Sequence, residues 1–158
     1  MTPTSKIQQE IKQSKPFHSR SQEAVVALLR TSEVVRSYFE KFLEPHGVTL
    51  QQYNVMRILR GAGPDGLPTL DISSRMVERT PGVTRLIDRL ELKGFVERQR
   101  SVNDRRVVYC SLTAAGFAVL NGLDGIIDHA DETALGSLTA EDESRLIELL
   151  DRIRATHD

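Results

Sequence analysis

Between Thr80 and Leu112 the apolar residues change their period, and that change restricts the fold more than any other feature of the chain. Val83, Leu86, Ile87 and Leu90 recur at three- and four-residue steps, which gathers them on one face of a helix over about residues 80–93. Gly94 supplies a stop signal. From Val96 to Arg100 and from Arg106 to Leu112 the pattern is strand-like, with Ser101-Val102-Asn103-Asp104 as a polar hairpin tip. Thr80 is the expected N-cap of the helix, and Pro81 sits in its first turn, where a missing N–H costs nothing.

The flanking segments read as helices. Val25, Leu28, Leu29, Val35, Phe39, Phe42 and Leu43 keep helical spacing until Pro45 and Gly47. Thr49 and Gln52 form a capping box, with Val48 and Tyr53 spaced as a hydrophobic staple. That helix carries Met56 and Leu59 inward and is expected to stop at Gly61 and Gly63, before a Gly63-Pro64-Asp65-Gly66 turn. Thr69 is the expected cap of a short helix over about 70–77, with Ile72 and Met76 inward. Thr113 starts a long helix bearing Phe117, Leu120, Leu123, Ile127 and Ala130, and Thr139 with Asp142 starts a last one bearing Leu146 to Ile153. The expected fold is therefore mostly α with a small β-hairpin (α+β). Residues 1–20, with Pro3 and Pro16, read as a tail that orders only against a partner.

At 158 residues the chain suits one domain. It has no apolar run near the ~20 residues of a membrane span, and its polar amino terminus lacks the apolar stretch of a secretory signal. One cysteine excludes an internal disulfide framework, and a cytoplasmic protein is expected. The net charge of −1 hides a dipolar distribution. Residues 75–106 carry nine Lys or Arg against five acids, whereas residues 111–158 carry three against ten. Such a chain suits an approach to phosphate by one face only, and equally an ordinary solvated surface.

The helix at 80–93 sets Pro81, Gly82, Thr84, Arg85, Asp88 and Arg89 away from its apolar stripe. A small start followed by Arg85 fits a helix that enters a major groove, since Arg can bond guanine O6 and N7 together. The helix alone is also compatible with solvated arginines. The hairpin separates the readings, because Arg98, Arg100, Arg105 and Arg106 are expected to cluster near its tip, where arginine suits a narrow minor groove.

The segments Thr84-Arg85-Leu86-Ile87-Asp88-Arg89-Leu90-Glu91, Lys93-Gly94-Phe95-Val96-Glu97-Arg98, Asp104-Arg105-Arg106 and Leu112-Thr113-Ala114-Ala115-Gly116, with Leu50-Gln51-Gln52-Tyr53 upstream, resemble the MarR-type winged-helix regulators over roughly residues 22–155. The resemblance implies a winged helix-turn-helix DNA-binding domain at 49–112, with helical dimerisation regions at 21–48 and 113–158. It implies a homodimer on double-stranded DNA, usually a repressor. Arg106 would enter the minor groove, braced by Asp104, and Thr84 and Arg85 would contact bases. The full expected DNA-facing set is Thr69, Pro81, Gly82, Thr84, Arg85, Arg89, Arg100, Asp104, Arg105 and Arg106. Pro81-Gly82 departs from the bulkier or hydroxyl residues of many relatives. The alternative function is a winged-helix protein-interaction module that never touches DNA.

The family also implies a small aromatic or anionic effector, for which Tyr38, Phe39, His46, Tyr53 and Arg57 are candidate cavity residues; core packing accounts for most of them equally well. Cys110 shares a strand face with Val108 and Leu112 and reads as a buried, inert thiol. His129 and Glu132 have i, i+3 spacing, yet no further ligand converges, so no metal, cofactor or catalytic group is expected.

Overall fold

A computed structural model describes residues 5–104 and 106–157 of the chain. They form two compact units, one ending at Phe39 and the other beginning at Glu40. In the first, α1 (Lys6–Glu10) is capped by Ser5, whose hydroxyl accepts from the Gln8 backbone N–H. The Gln8 side-chain amide donates to the carbonyls of Gln13 and Lys15, so part of the expected tail orders on its own bonds. Helix α2 (Arg20–Leu43) begins in this unit and runs into the second.

The second unit opens with a 3-10 turn at Glu44–His46, ended by Gly47, and continues into α3 (Leu50–Ala62). The Thr49–Gln52 capping box is present, with both reciprocal bonds at 3.2 Å. Gln52 is also the buried polar side chain of the core; its Oε1 accepts a second bond from Lys93 Nζ at 3.0 Å. Gly61, expected as a stop, lies inside α3, and the helix ends at Gly63, where φ turns to +80°.

The turn 63–66 leads to β1 (Leu67–Pro68), a strand the sequence did not reveal. Two residues including a proline carry no periodicity, and proline is tolerated only because β1 is an edge strand. β1 pairs antiparallel with β3 (Val108–Leu112), which pairs on its other side with β2 (Val96–Arg100). The ladder starts at Val108 rather than Arg106, because the Val107 N–H bonds the Asp104 carbonyl within the tip.

Two helices sit between β1 and β2. α4 (Thr69–Arg75) has Pro68 as N-cap, so Thr69 is its first residue and not its cap. α5 (Val83–Leu92) is capped by Gly82, so Thr80 and Pro81 precede the helix. Thr80 Oγ1 instead accepts from Gln51 Nε2 at 3.0 Å, a tertiary bond to α3. The stripe Val83, Leu86, Ile87 and Leu90 is buried as expected, which stabilises by about 1.5–3 kcal/mol per side chain. At its other end the N–H groups of Gly94 and Phe95 bond the carbonyls of Glu91 and Leu90, a Schellman closure.

Thr113 caps α6 (Ala114–Ala134), bonding the Gly116 N–H at 3.1 Å. Leu120, Leu123, Ile127 and Ala130 complete a core with Leu43, Val55, Met56, Leu59, Ile72 and Val96. Phe117, expected inward, is exposed on the single chain. Arg60 binds Asp124 through two bonds of 2.9 Å and ties α3 to α6. The last helix, α7 (Ala140–Ala155), has a Thr139–Asp142 capping box, yet Ile147, Leu149 and Ile153 stay exposed. No helix among the described residues is long and apolar enough to cross a membrane.

Candidate nucleic-acid interface

The outward face of α5 follows from burial of its inner one. With Val83, Leu86, Ile87 and Leu90 fixed inward, Thr84, Arg85, Asp88 and Arg89 are exposed. The helix begins at a glycine with φ +111°, a left-handed conformation that a side-chain-bearing residue adopts only with strain. No Cβ stands at that position, and the space where one would lie is open, with no atom within 4 Å. Among the described residues, neither Arg85 nor Arg89 is held by an ion pair.

The turn between α4 and α5 is held from α3. Asn54 Oδ1 accepts the Val77 N–H at 2.9 Å, and Gln51 Nε2 donates to Thr80 and to Glu78 Oε2. These two α3 side chains set where α5 starts, and sequence reasoning missed them, because their partners lie 23 to 29 positions downstream. Thr69, expected to face DNA, is half-buried with Oγ1 4.0 Å from Cys110 Sγ, whereas its neighbour Leu70 is exposed.

The wing tip is shaped by two short polar side chains. Ser101 Oγ accepts the N–H groups of Asn103 and Asp104, and Asp104 Oδ1 accepts the Arg106 backbone N–H at 2.9 Å. Asp104 therefore fixes the residue that carries the Arg106 guanidinium by holding its main chain. Arg100 and Arg106 are exposed, and Arg105 lies outside the described residues.

Arg98 departs from the expected cluster at the tip. Its guanidinium bonds Asp88 Oδ1 at 2.6 Å and Glu91 Oε2 at 2.7 Å, and reaches the Thr84 carbonyl at 3.4 Å. Partial burial works against its charge, and the bonds to the two carboxylates outweigh that, so the guanidinium titrates above its ordinary value. The signal was present as an acidic pair at i, i+3 on an otherwise basic helix, but its partner strand could be identified only from the fold.

Cys110 is fully buried and burial pushes its thiol up, as expected for an inert group, although the Thr69 contact and the Arg98 charge work the other way. Of the effector candidates, Tyr38 and Phe39 meet edge to face at 5.8 Å in the first unit. His46 is exposed in the 3-10 turn. Tyr53 and Arg57 come together on α3, the guanidinium 5.9 Å from the ring centroid. They line a cavity of about 140 Å³ with Leu50, Met76, Val77 and Glu78.

The same arrangement of elements recurs in known proteins. Residues 48–108 match the model of the MarR family. The homoprotocatechuate degradative operon repressor of Escherichia coli is 33% identical over 130 residues, covering 82% of this chain and 86% of the relative. A MarR transcription factor from Planctomyces limnophilus superimposes with a TM-score of 0.67 at 38% identity, over 86% of this chain and 98% of that one. A mutant MarR from E. coli, solved in complex with operator DNA, gives a TM-score of 0.78 at 22% identity, over 88% of this chain and 99% of that one, a likeness of fold. Helix, turn, helix and wing thus agree with both sequence and fold, and this chain belongs to the MarR family.

Proposed function

We propose that the chain is a sequence-specific DNA-binding transcriptional regulator, a repressor acting as a homodimer on a pseudo-palindromic operator. The observation that carries this is the outer face of α5, where Thr84, Arg85 and Arg89 stand exposed while the opposite face is buried. α5 enters the major groove, with Gly82 and Pro81 allowing close approach and Thr84 and Arg85 reading bases. The wing follows the minor groove, with Arg106 inserted and Arg100 beside it, and Arg105, outside the described residues, is assigned to DNA from the sequence alone. Asp104 holds Arg106 in place through its main chain, and Thr69, half-buried at the start of α4, completes the DNA-facing set.

The dimer is supported by apolar surface left uncovered on one chain: Val25 and Leu29 on α2, and Ile147, Leu149 and Ile153 on α7. Residues 21–48 and 113–158 are the dimerisation regions and 49–112 the DNA-binding domain, so recognition helices meet half-sites about 34–36 Å apart. The cavity under Tyr53 and Arg57 favours a small aromatic anion as the releasing signal. Its volume of about 140 Å³ is close to the ~150 Å³ of an engineered apolar cavity that binds benzene.

Fluorescence anisotropy with DNA flanking the chain's own gene, against a shuffled duplex, tests the reading. Preferential binding of the flanking DNA, two chains per duplex, supports it. Equal weak binding of both duplexes at low salt contradicts it and favours a protein-interaction module.

A further inference from the structure

Two acidic side chains stand on the face of α5 that the proposed function turns toward DNA. Asp88 and Glu91 are half-exposed, at 50% and 42% of their side chains. Phosphate repels carboxylate, so on electrostatic grounds both should weaken binding. Their geometry gives them another use. They lie one turn apart, and a single guanidinium spans them: Arg98 Nη2 on Asp88 and Nη1 on Glu91, at 2.6 and 2.7 Å. The same Nη2 reaches the carbonyl of Thr84. One strand residue thus touches three points of α5, including a residue given to the major groove.

The other end of this contact is the wing. Arg98 lies on β2 opposite Cys110, which is fully buried and fixes that point of the sheet. Arg100 follows two residues on, on the same face of the strand, opposite Val108. Beyond it the tip carries Asp104 and Arg106. β1 ties down only the root of the hairpin, at Cys110 and Tyr109; farther out, among the described residues, the backbone bonds join β2 to β3 and not to α5, so the hairpin's angle to α5 is set where a side chain bridges the two.

We propose that Arg98, with Asp88 and Glu91, is a positioning clamp that fixes the wing relative to the recognition helix, so that helix and wing reach adjacent grooves together. This rests on the DNA-binding reading. The acids then favour specific binding although they repel phosphate, and Arg98 contributes without touching DNA.

The test compares the wild type with Arg98→Gln, Asp88→Asn and Arg98→Lys as full-length dimers. Amide exchange of the free proteins is followed at Arg100, Ser101 and Val107, beside operator and shuffled-duplex binding. The clamp predicts faster exchange at these amides in Arg98→Gln and Asp88→Asn, with the α6 amides as slow as in the wild type. It predicts roughly tenfold weaker operator binding for Arg98→Gln, which loses two partly exposed bridges, and roughly threefold for Asp88→Asn, which keeps the bridge to Glu91. The double variant Arg98→Gln with Asp88→Asn is no weaker than Arg98→Gln alone, because the shared interaction is already gone. Arg98→Lys, which keeps the charge and one bond, falls between. If Asp88→Asn instead binds both duplexes more tightly, the acid only repels and the clamp is wrong. Unchanged wing exchange in both variants overturns it as well. A wild type without operator preference defeats the DNA-binding reading, while the exchange comparison still decides the clamp.

Discussion

Gly66→Ala should unfold the root of the wing. Gly66 has φ +69°, where an alanine is strained by about 1–2 kcal/mol. A Cβ there would stand 2.2 Å from the Cys110 carbonyl oxygen and 2.8 Å from its carbon. Ordinary contact begins at 3.4 Å, so β1 and β3 must separate by about 1.2 Å (3.4 less 2.2). The obstructing atoms are main chain of a strand paired on both sides, not the end of a flexible side chain. Opening the two-residue β1–β3 pairing forfeits hydrogen bonds of about 0.5–1.5 kcal/mol each. The loss should total about 2–4 kcal/mol, which in a chain of this size lowers Tm by roughly 5–15 °C. Gly61→Ala is the control: it lies inside α3, nothing stands within 4 Å of its Cβ, and it should stabilise by about 0.5–1 kcal/mol. Calorimetry at one protein concentration measures both. A Gly66→Ala protein melting within about a degree of the wild type would refute the placement of β1 against β3.

Other contacts make separate demands. Leu149→Asp, at an exposed position of one chain, should leave the fold intact but convert dimer to monomer in light scattering, since an unpaired charge is costly in an apolar interface. A stable dimer would remove α7 from that interface. The Asp124 carboxyl is held below the usual carboxylate range by the bonds it accepts from Arg60. A depressed acid stabilises above its unfolded pKa and loses that contribution as pH falls through the folded value. Stability should therefore decline below about pH 4, and Asp124→Asn should flatten that decline in urea titrations. Cys110 should resist iodoacetamide at pH 8 until the protein unfolds, because the thiol is buried and raised; rapid native labelling would contradict its burial.

Much of this fold could be read from local signals. The capping residues Thr49, Thr113 and Thr139 and the stripe of α5 act within one or two turns, so sequence spacing was enough. What escaped depends on distant partners. Thr80 looked like a cap, but the helix starts after Gly82 and Thr80 bonds Gln51 instead, and Thr69 lost that role to Pro68. β1 exists only because Gly66 lets the chain lie against Cys110. Arg98 was counted with the tip arginines because a strand residue's facing partner, here α5, is a tertiary fact. Thr84, Arg85 and Arg106 kept the exposure expected of them, and Arg57 and Tyr53 came together on one face of α3.

The proposed division of work on DNA between α5 and the wing is tested most directly by the salt dependence of operator binding by the wild type, Arg106→Ala and Arg85→Ala. Each phosphate-region charge contributes about 0.9 to the slope of log K against log salt, so a dimer lacking two wing arginines should have a slope shallower by about 1.8. Arg106→Ala should weaken operator and shuffled DNA alike, whereas Arg85→Ala should reduce the preference for operator, by about 1–3 kcal/mol per lost guanine contact. Equal losses by both variants on every duplex, with slopes like the wild type's, would contradict the division.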